Sequence, residues 1–310
     1  MHKPALAHNS PASPDALDGF HLTHSEKQLD KSTGLTKREL AEYYLAVADY
    51  LLPHIGGRPL SVVRCPEGST EPCFFQKHVG MGLPAGIDTV PVRDRKTGAM
   101  EKYITVSSRE GLVGLAQMGV LEIHPWGSRN RSLDKPDRIV FDLDPDPSIP
   151  WKTLAEGAQT VRELLRKAGL KSFVKLTGGK GLHVFVPIRA DHAWQPVKDF
   201  AHGLANQMEQ ADPDLFVTKM TKSARAGKIY IDYLRNDRGS TSVAPYSPRA
   251  RAGVLVSMPL TWKELDARKM PTFTVADFKH WQARLRNDPW AEMFELNQSL
   301  TQSAMDAVAK

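Results

Sequence analysis

Asp142 and Asp144 close the apolar run Arg138-Ile-Val-Phe-Asp-Leu-Asp-Pro145, where carboxylates have no use in a core. Successive side chains of a strand leave on opposite faces, so the two aspartates share one face while Phe141 and Leu143 turn inward. Carboxylates side by side raise the pKa of one of them unless a cation lies between, and hard oxygen donors suit Mg²⁺ or Mn²⁺. A plain turn is the other reading, since Asp and Pro are turn residues. An EF-hand is excluded, because its sixth position would be Pro147 instead of glycine and its twelfth Thr153 instead of glutamate. Asp232 lies in a second apolar run, Lys228-Ile-Tyr-Ile-Asp-Tyr-Leu234, on the face of Tyr230, and supplies a third carboxylate.

Anion binding has residues of its own. Thr177-Gly-Gly-Lys-Gly181 separates two apolar runs. It is no Walker A loop, because Gly181 follows Lys180 where Ser or Thr is needed. Its glycines let backbone N–H groups approach an anion, Thr177 and Lys180 add donors, and His183 projects from the next strand. A tight hairpin accounts for the glycines but not for Lys180 and His183. From Lys219 to Arg251 eight basic residues (Lys219, Lys222, Arg225, Lys228, Arg235, Arg238, Arg249, Arg251) face only Asp232 and Asp237, a balance that suits phosphate. Three aspartates, a glycine loop and a basic cluster are the parts of phosphoryl transfer. Phe74-Phe75-Gln-Lys77-His78 offers a stacking platform for bases, with one of two adjacent phenylalanines facing out, or else a buried pair at an edge. Lys37 opens a helix whose N-terminus favours an anion, with Lys27 ten residues upstream; two solvated lysines are the alternative.

Around these residues the pattern predicts their supports. Thr36-x-x-Glu39 is a capping box for a helix over 37–52 that Pro53 stops. Strands are expected at 60–64, 102–106, 172–176, 182–186 and 228–234. Ser107-x-x-Glu110 caps a short helix ended by Gly119, and Gly169 ends a helix through Leu154, Val161 and Leu165. Val197, Phe200, Leu204 and Met208 mark another, a helix begins near Thr261, and a polar tail runs from Arg284. Residues 1–19, rich in Pro, Ala, Ser and Asn, read as a disordered arm, and 301–310 as a tail.

The chain has 310 residues, 41% hydrophobic and 25% charged, with mean hydropathy −0.37, an ordinary globular composition. It has no run of 18 apolar residues and no apolar signal centre, which predicts a cytoplasmic protein. Cys65 and Cys73 are its only cysteines, too few for a disulfide framework or a cysteine zinc site, so any metal is expected to be oxygen-bound. A net charge of +6 and a pI near 9.2 suit a polyanionic partner.

Together Phe141-Asp-Leu-Asp144-Pro, Thr177-Gly-Gly-Lys-Gly-Leu-His183 and Ile231-Asp232-Tyr-Leu-Arg-Asn resemble the three motifs of archaeo-eukaryotic primase-type polymerases. With His124-Pro-Trp126-Gly and Pro245-Tyr-Ser-Pro-Arg249-Ala-Arg, the chain from about His21 to near Trp290 is similar to the polymerase domain of bacterial ATP-dependent DNA ligase D. That resemblance implies an α+β fold with a primase-like core, an antiparallel or mixed sheet flanked by helices. A domain over 20–300 is expected, with a smaller N-terminal accessory portion at 20–105 and a catalytic core at 106–300.

It further implies template-directed nucleotidyl transfer to a DNA 3′-hydroxyl, with two divalent metals (Mn²⁺ preferred, or Mg²⁺), no zinc, and NTPs preferred over dNTPs. Asp142, Asp144 and Asp232 would hold the metals. Thr177, Lys180, His183, Lys222, Arg225 and Arg249 would hold the triphosphate, with His124 and Arg235 bordering it. Phe74 and Phe75 would meet template and nucleotide, Arg64 and Lys77 would meet DNA, and Lys27 and Lys37 a 5′-phosphate across a gap. Implied partners are DNA with gaps, 3′ overhangs or broken ends, Ku, and ligase and phosphoesterase modules, near the bacterial nucleoid and away from membranes. The family often has serine where Thr177 stands, and the zinc segment of replicative primases is missing. The competing readings are a metal-dependent nuclease, which the cationic cluster disfavours, and a DNA-end-binding module, in which loss of an aspartate would be expected.

Overall fold

The computed structural model describes residues 16, 17, 19–78, 80 and 82–308. Two short hairpins come first, β1 (Ala16–Leu17) with β2 (Phe20–His21) and β3 (Gln28–Asp30) with β4 (Leu35–Thr36). Most of the expected disordered arm lies outside the described residues, but Leu17 is buried and paired in β1. The Thr36–Glu39 capping box opens α1 (Lys37–Ala46). The expected single helix is broken at Val47, which ends α1 and starts α2 (Ala48–Ile55); Pro53 sits inside α2 and stops nothing. The break is stabilised from outside, because Arg109 donates to the Leu45 carbonyl at 2.9 Å.

The first sheet contains β5 (Leu60–Arg64), β6 (Phe74–Gln76), β7 (Ile87–Arg93), β8 (Met100–Val106) and, after α3 (Arg109–Gln117), β9 (Val120–Pro125). β9 runs antiparallel along one edge of β5, while β6 and β8 share the other. This sheet therefore continues to Pro125, past the expected division near residue 106. The cap of α3 is Ser108, not Ser107: Ser108 accepts from Gly111 N, whereas Ser107 accepts from Gly57 N. Contrary to expectation, Cys65 and Cys73 form a disulfide. The register explains it, since antiparallel pairing of Arg64 with Phe74 makes Cys65 and Cys73 the next facing pair.

The second sheet is six-stranded, in the order β13 (Phe216–Val217), β14 (Ile229–Asp232), β10 (Arg138–Pro145), β12 (Leu182–Pro187), β11 (Phe173–Leu176), β15 (Pro259–Leu260). Every neighbouring pair is antiparallel except β13–β14. The strand expected at 228–234 ends at Asp232, where the chain tightens into a 3₁₀ turn, Tyr233–Asn236. The helix expected near Thr261 is likewise a 3₁₀ turn, Trp262–Asp266, with a Thr261–Glu264 capping box.

The two faces of this sheet have different uses. Ile139, Phe141 and Leu143 of β10 and Val184 and Val186 of β12 are buried in the main core, against which α4 (Trp151–Lys167) and α5 (Trp194–Ala211) also pack. On the other face Val140, Phe185 and Phe173 form one row, covered by Trp290 and Met293. Two residues further along each strand, that face is left for the carboxylates.

The C-terminal segment is thus part of the core and no polar tail. Trp290 is fully buried, its indole N–H donating to the Val174 carbonyl at 3.0 Å, and α7 (Gln302–Val308), after the short α6 (Phe278–Trp281), packs on α5 through Ala304 and Val308. The two sheets are joined by a buried ionic clamp: Arg58, which precedes β5, makes a two-pronged pair with Asp137, which precedes β10, at 2.6 and 2.5 Å. No helix of the described residues is long and apolar enough to cross a membrane.

Truncating Trp290 removes the cover from one face of the second sheet. Trp290→Ala is expected to lower stability by about 3–5 kcal/mol, read by urea unfolding. A change under about 1 kcal/mol would show that residues 284–308 do not belong to the core.

Candidate active site

Register alone assembles the site. Asp232 on β14 faces Asp142 on β10, Asp142 faces His183 on β12, and His183 faces Lys175 on β11. Directly opposed residues share a face, so one row crosses four strands in the order carboxylate, carboxylate, imidazole, amine. Asp144, two residues beyond Asp142, faces Tyr230. Asp142 and Asp144 share a face as expected, and the register sets Asp232 on it as well.

The middle of the row, Asp142 and His183, lines a cleft of about 690 Å³ together with Asp144, residues 179–181, Arg235 and Arg249. Residues 177–181 turn back at the carboxylate end of β10, where a Cβ on Gly181 would lie 2.5 Å from the Leu143 carbonyl. Gly178 needs its positive φ of 69°, and a Cβ there would meet the Arg249 side chain at 2.7 Å. Arg249 donates to the Thr177 carbonyl at 2.5 Å, which ties the loop to the segment behind it.

Electrostatics sort the aspartates. Burial alone would raise Asp142, but His183, Arg235 and Lys175 hold it well below the usual carboxylate range. Burial and the Asp142 charge push Asp144 up; burial, then Asp142 against the opposing Arg235, pushes Asp232 up. Burial and the nearby Lys175 bring His183 down to about 4 despite Asp142, so at neutral pH it is an uncharged imidazole with Nε2 3.3 Å from Asp142 Oδ1. Guanidinium groups balance the carboxylates: Arg235 lies 3.3 Å from Asp142 and 3.0 Å from Asp232, and Arg225, stacked 3.6 Å over Tyr230, lies 3.3 Å from Asp144.

Three oxygen donors whose charges need this compensation fit a hard divalent cation by chemistry. Among the described residues, however, no group of three His, Cys, Asp or Glu side chains is gathered as a ready metal cage.

The first sheet closes the cleft. Both phenylalanines of β6 are exposed, Phe74 at 47% and Phe75 at 71%, where one outward ring was expected; β6 is an edge strand with nothing over it. Phe75 meets His124 edge-on at 5.7 Å. Arg64 is used internally, donating to the Met118 carbonyl and to Gln76 while lying over Phe74, and Lys77 lies over Tyr103.

Other expected site residues stand elsewhere. Lys222 is exposed on a 3₁₀ turn away from the cleft lining, and Arg225, from the same turn, reaches the carboxylate end of the row. Lys27 and Lys37 meet through a backbone bond of 2.9 Å, yet Lys37 is buried with its ammonium on the Thr23 carbonyl, and Lys27 pairs with Glu67. A phosphate there would have to displace those partners.

Glu122 and Lys175 were missed, and Arg251, which lines the cleft, was read only as a member of the basic cluster. Glu122 alternates with His124 on β9, which is the one signal the sequence offered; it accepts from Ala250 N at 2.9 Å, lies 2.7 Å from His124 Nε2 and is ion-paired with Arg249, whose Nε is 3.1 Å away. Burial opposes its ionisation, but His124 and Arg249 outweigh burial and bring it down to about 2.

A folded pKa below the unfolded one gives stability that is present above the unfolded value and lost as pH falls toward the folded one. Glu122 should therefore contribute on the order of 3 kcal/mol at neutral pH, draining away between its ordinary value of 4.5 and about 2. The stability gap between wild type and Glu122→Gln should be full at pH 7 and cut to about a quarter near pH 2.5; a gap independent of pH would contradict this.

Sequence and structure comparisons identify the family and its fold. Residues 36–290 match the family described as LigD, primase-polymerase domain. The chain is 38% identical over 291 residues to the multifunctional non-homologous end joining protein LigD of Pseudomonas aeruginosa, covering 91% of this chain and 34% of that protein. It is 36% identical over 253 residues to the LigD protein of Mycolicibacterium smegmatis, covering 81% and 33%. The chain thus spans about a third of the length of these relatives. The polymerase domain from Mycobacterium tuberculosis ligase D, solved in complex with DNA, superposes with a TM-score of 0.81 at 33% identity, covering 89% of this chain and 97% of that one. With most of its length inside the family match and its fold shared with a solved member, this chain belongs to the LigD primase-polymerase domain family, whose members are nucleotidyltransferases.

Proposed function

We propose that the chain is a template-directed polymerase that fills gaps and extends broken DNA ends in non-homologous end joining, joining nucleotides to a DNA 3′-hydroxyl. The observation that carries this is the polarity across the second sheet, with carboxylates on β14 and β10, imidazole on β12 and the glycine loop between β11 and β12. A nucleoside triphosphate has the matching polarity, with its reacting phosphorus beside the acids and its outer phosphates beside the donors.

Asp142, Asp144 and Asp232 would hold two divalent cations, whose charge would stabilise the phosphate and make the attacking hydroxyl more acidic. The chain's own groups do the rest. Thr177, Lys180, Arg249 and the loop N–H groups bind the outer phosphates, and His183, neutral and set against Asp142, borders them without adding a second positive charge to the acids. Exposed Phe75, against His124, offers a face to the incoming base. The 3′ oxygen bonds to the α-phosphorus as the α–β bridge breaks and pyrophosphate leaves. Ribonucleotide preference, Mn²⁺ preference, a 5′-phosphate contact at Lys27 and Lys37, and association with Ku and with ligase and phosphoesterase modules complete the reading, in a cytoplasmic setting.

Primer extension on a gapped duplex tests it. Wild type should add templated nucleotides, NTP ahead of dNTP, and Asp142→Asn or Asp232→Asn should lose at least about a hundredfold in rate, several kcal/mol of transition-state stabilisation, while DNA affinity stays within about threefold. Shortened rather than lengthened primers would favour the nuclease reading, and near-normal extension by either variant would remove the acids from the mechanism.

A further inference from the structure

Lys175 ends the cross-sheet row and has no place in the mechanism above. It is fully buried, and its Nζ donates to Ser257 Oγ at 2.6 Å, which in turn donates to the Leu176 carbonyl at 3.0 Å. Leu176 leads into the glycine loop, and residue 257 closes the segment that carries Arg249 and Arg251. Gly178 packs directly against Ser257 N, where a Cβ would lie 3.0 Å away. The two segments that line the anion end of the cleft therefore meet at this amine.

We propose that Lys175 is a positioning residue for the phosphates of the nucleotide, keeping the glycine loop and the Arg249 segment in register and holding positive charge beneath them. The inference rests on the reading of residues 177–181 and Arg249 as the phosphate end of the site.

The physical case is one of cost and use. A lysine amine out of water is unfavourable unless something compensates it. Burial and Arg249 disfavour its charged form, and only the Asp142 carboxylate, beyond His183, favours it. A bound triphosphate adds negative charge over the same end of the row, which compensates the amine when the ligand is present. Shielded from water, that charge acts on the phosphates with little screening. Lys175 needs no contact with the nucleotide to act this way, which separates it from Lys180 in the cleft lining.

The test compares Lys175→Met, which keeps the unbranched stem without the amine, with wild type in binding titrations of ATP and AMP and in primer extension. Loss of ATP affinity by about tenfold with AMP affinity within twofold is expected, together with a KM for nucleotide raised about tenfold and kcat within threefold. The urea midpoint should be unchanged or higher, because a buried charge has gone. Lys175→Arg should recover part of the ATP affinity. Equal losses for ATP and AMP, or a fall in kcat at constant KM, would overturn the proposal.

Should Lys175→Met fail to fold, Ser257→Ala removes the hydroxyl that the amine binds and should weaken ATP more than AMP; unchanged ATP affinity there would also overturn it. A wild type that binds ATP no better than AMP is a different result, and would overturn the phosphate reading of the loop itself.

Discussion

Mutual repulsion among three carboxylates on two neighbouring strands is the constraint that the second sheet is built to meet. Asp142 and Asp232 face each other across β10 and β14, a pairing that costs stability unless positive charge is brought to it. Arg235 bridges both, and its position is fixed by the next residue: Asn236 accepts from Val140 N and donates to the Val140 carbonyl, each at 2.8 Å. The 3₁₀ turn after β14 is thus bound to the strand whose charge it neutralises. Arg225 does the same for Asp144 from a second turn, braced on Tyr230. The Arg235 and Arg225 guanidinium groups are counter-charges that a divalent cation could replace, which reconciles a metal-suited donor set with side chains not gathered as a cage.

The same face explains the architecture around the site. One row of it is apolar and covered by Trp290, and the next is polar and open to the cleft, so the C-terminal segment determines where the site begins. The first sheet brings Phe75, Glu122 and His124 over the opening and is held to the second by the Arg58–Asp137 pair. Burial raises the Asp137 carboxyl, yet Arg138 and Arg58 hold it far below the ordinary range, so the clamp stays charged at any working pH.

What the sequence disclosed was what alternation and motif spacing encode. Asp142 and Asp144 on one face, the glycines between two strands, and the α1 capping box are local patterns and are found as read, while the placing of Asp232 opposite Asp142 came only with the register. What it hid was set by tertiary partners. Lys175 reads as one more lysine in an apolar strand until its register beside His183 is known. Lys37 reads as a helix-terminal phosphate ligand, but the Thr23 carbonyl, fourteen residues earlier, claims its ammonium. The polar composition after Arg284 masked Trp290 and Met293, because a few large side chains suffice to cover a sheet face. The disulfide depended on a hairpin register that two cysteines eight residues apart do not announce.

The central claim is directional: acids and metal at one end of the cross-sheet row, outer phosphates at the other. Anomalous diffraction at the manganese edge, from crystals holding Mn²⁺ and a non-hydrolysable nucleoside triphosphate, reads both ends at once. The account predicts manganese between the Asp142, Asp144 and Asp232 carboxylates, with Arg235 or Arg225 displaced, and the β- and γ-phosphates against residues 177–181 and Arg249. Manganese bound elsewhere, or a triphosphate lying with its γ-phosphate toward Asp232, would contradict it.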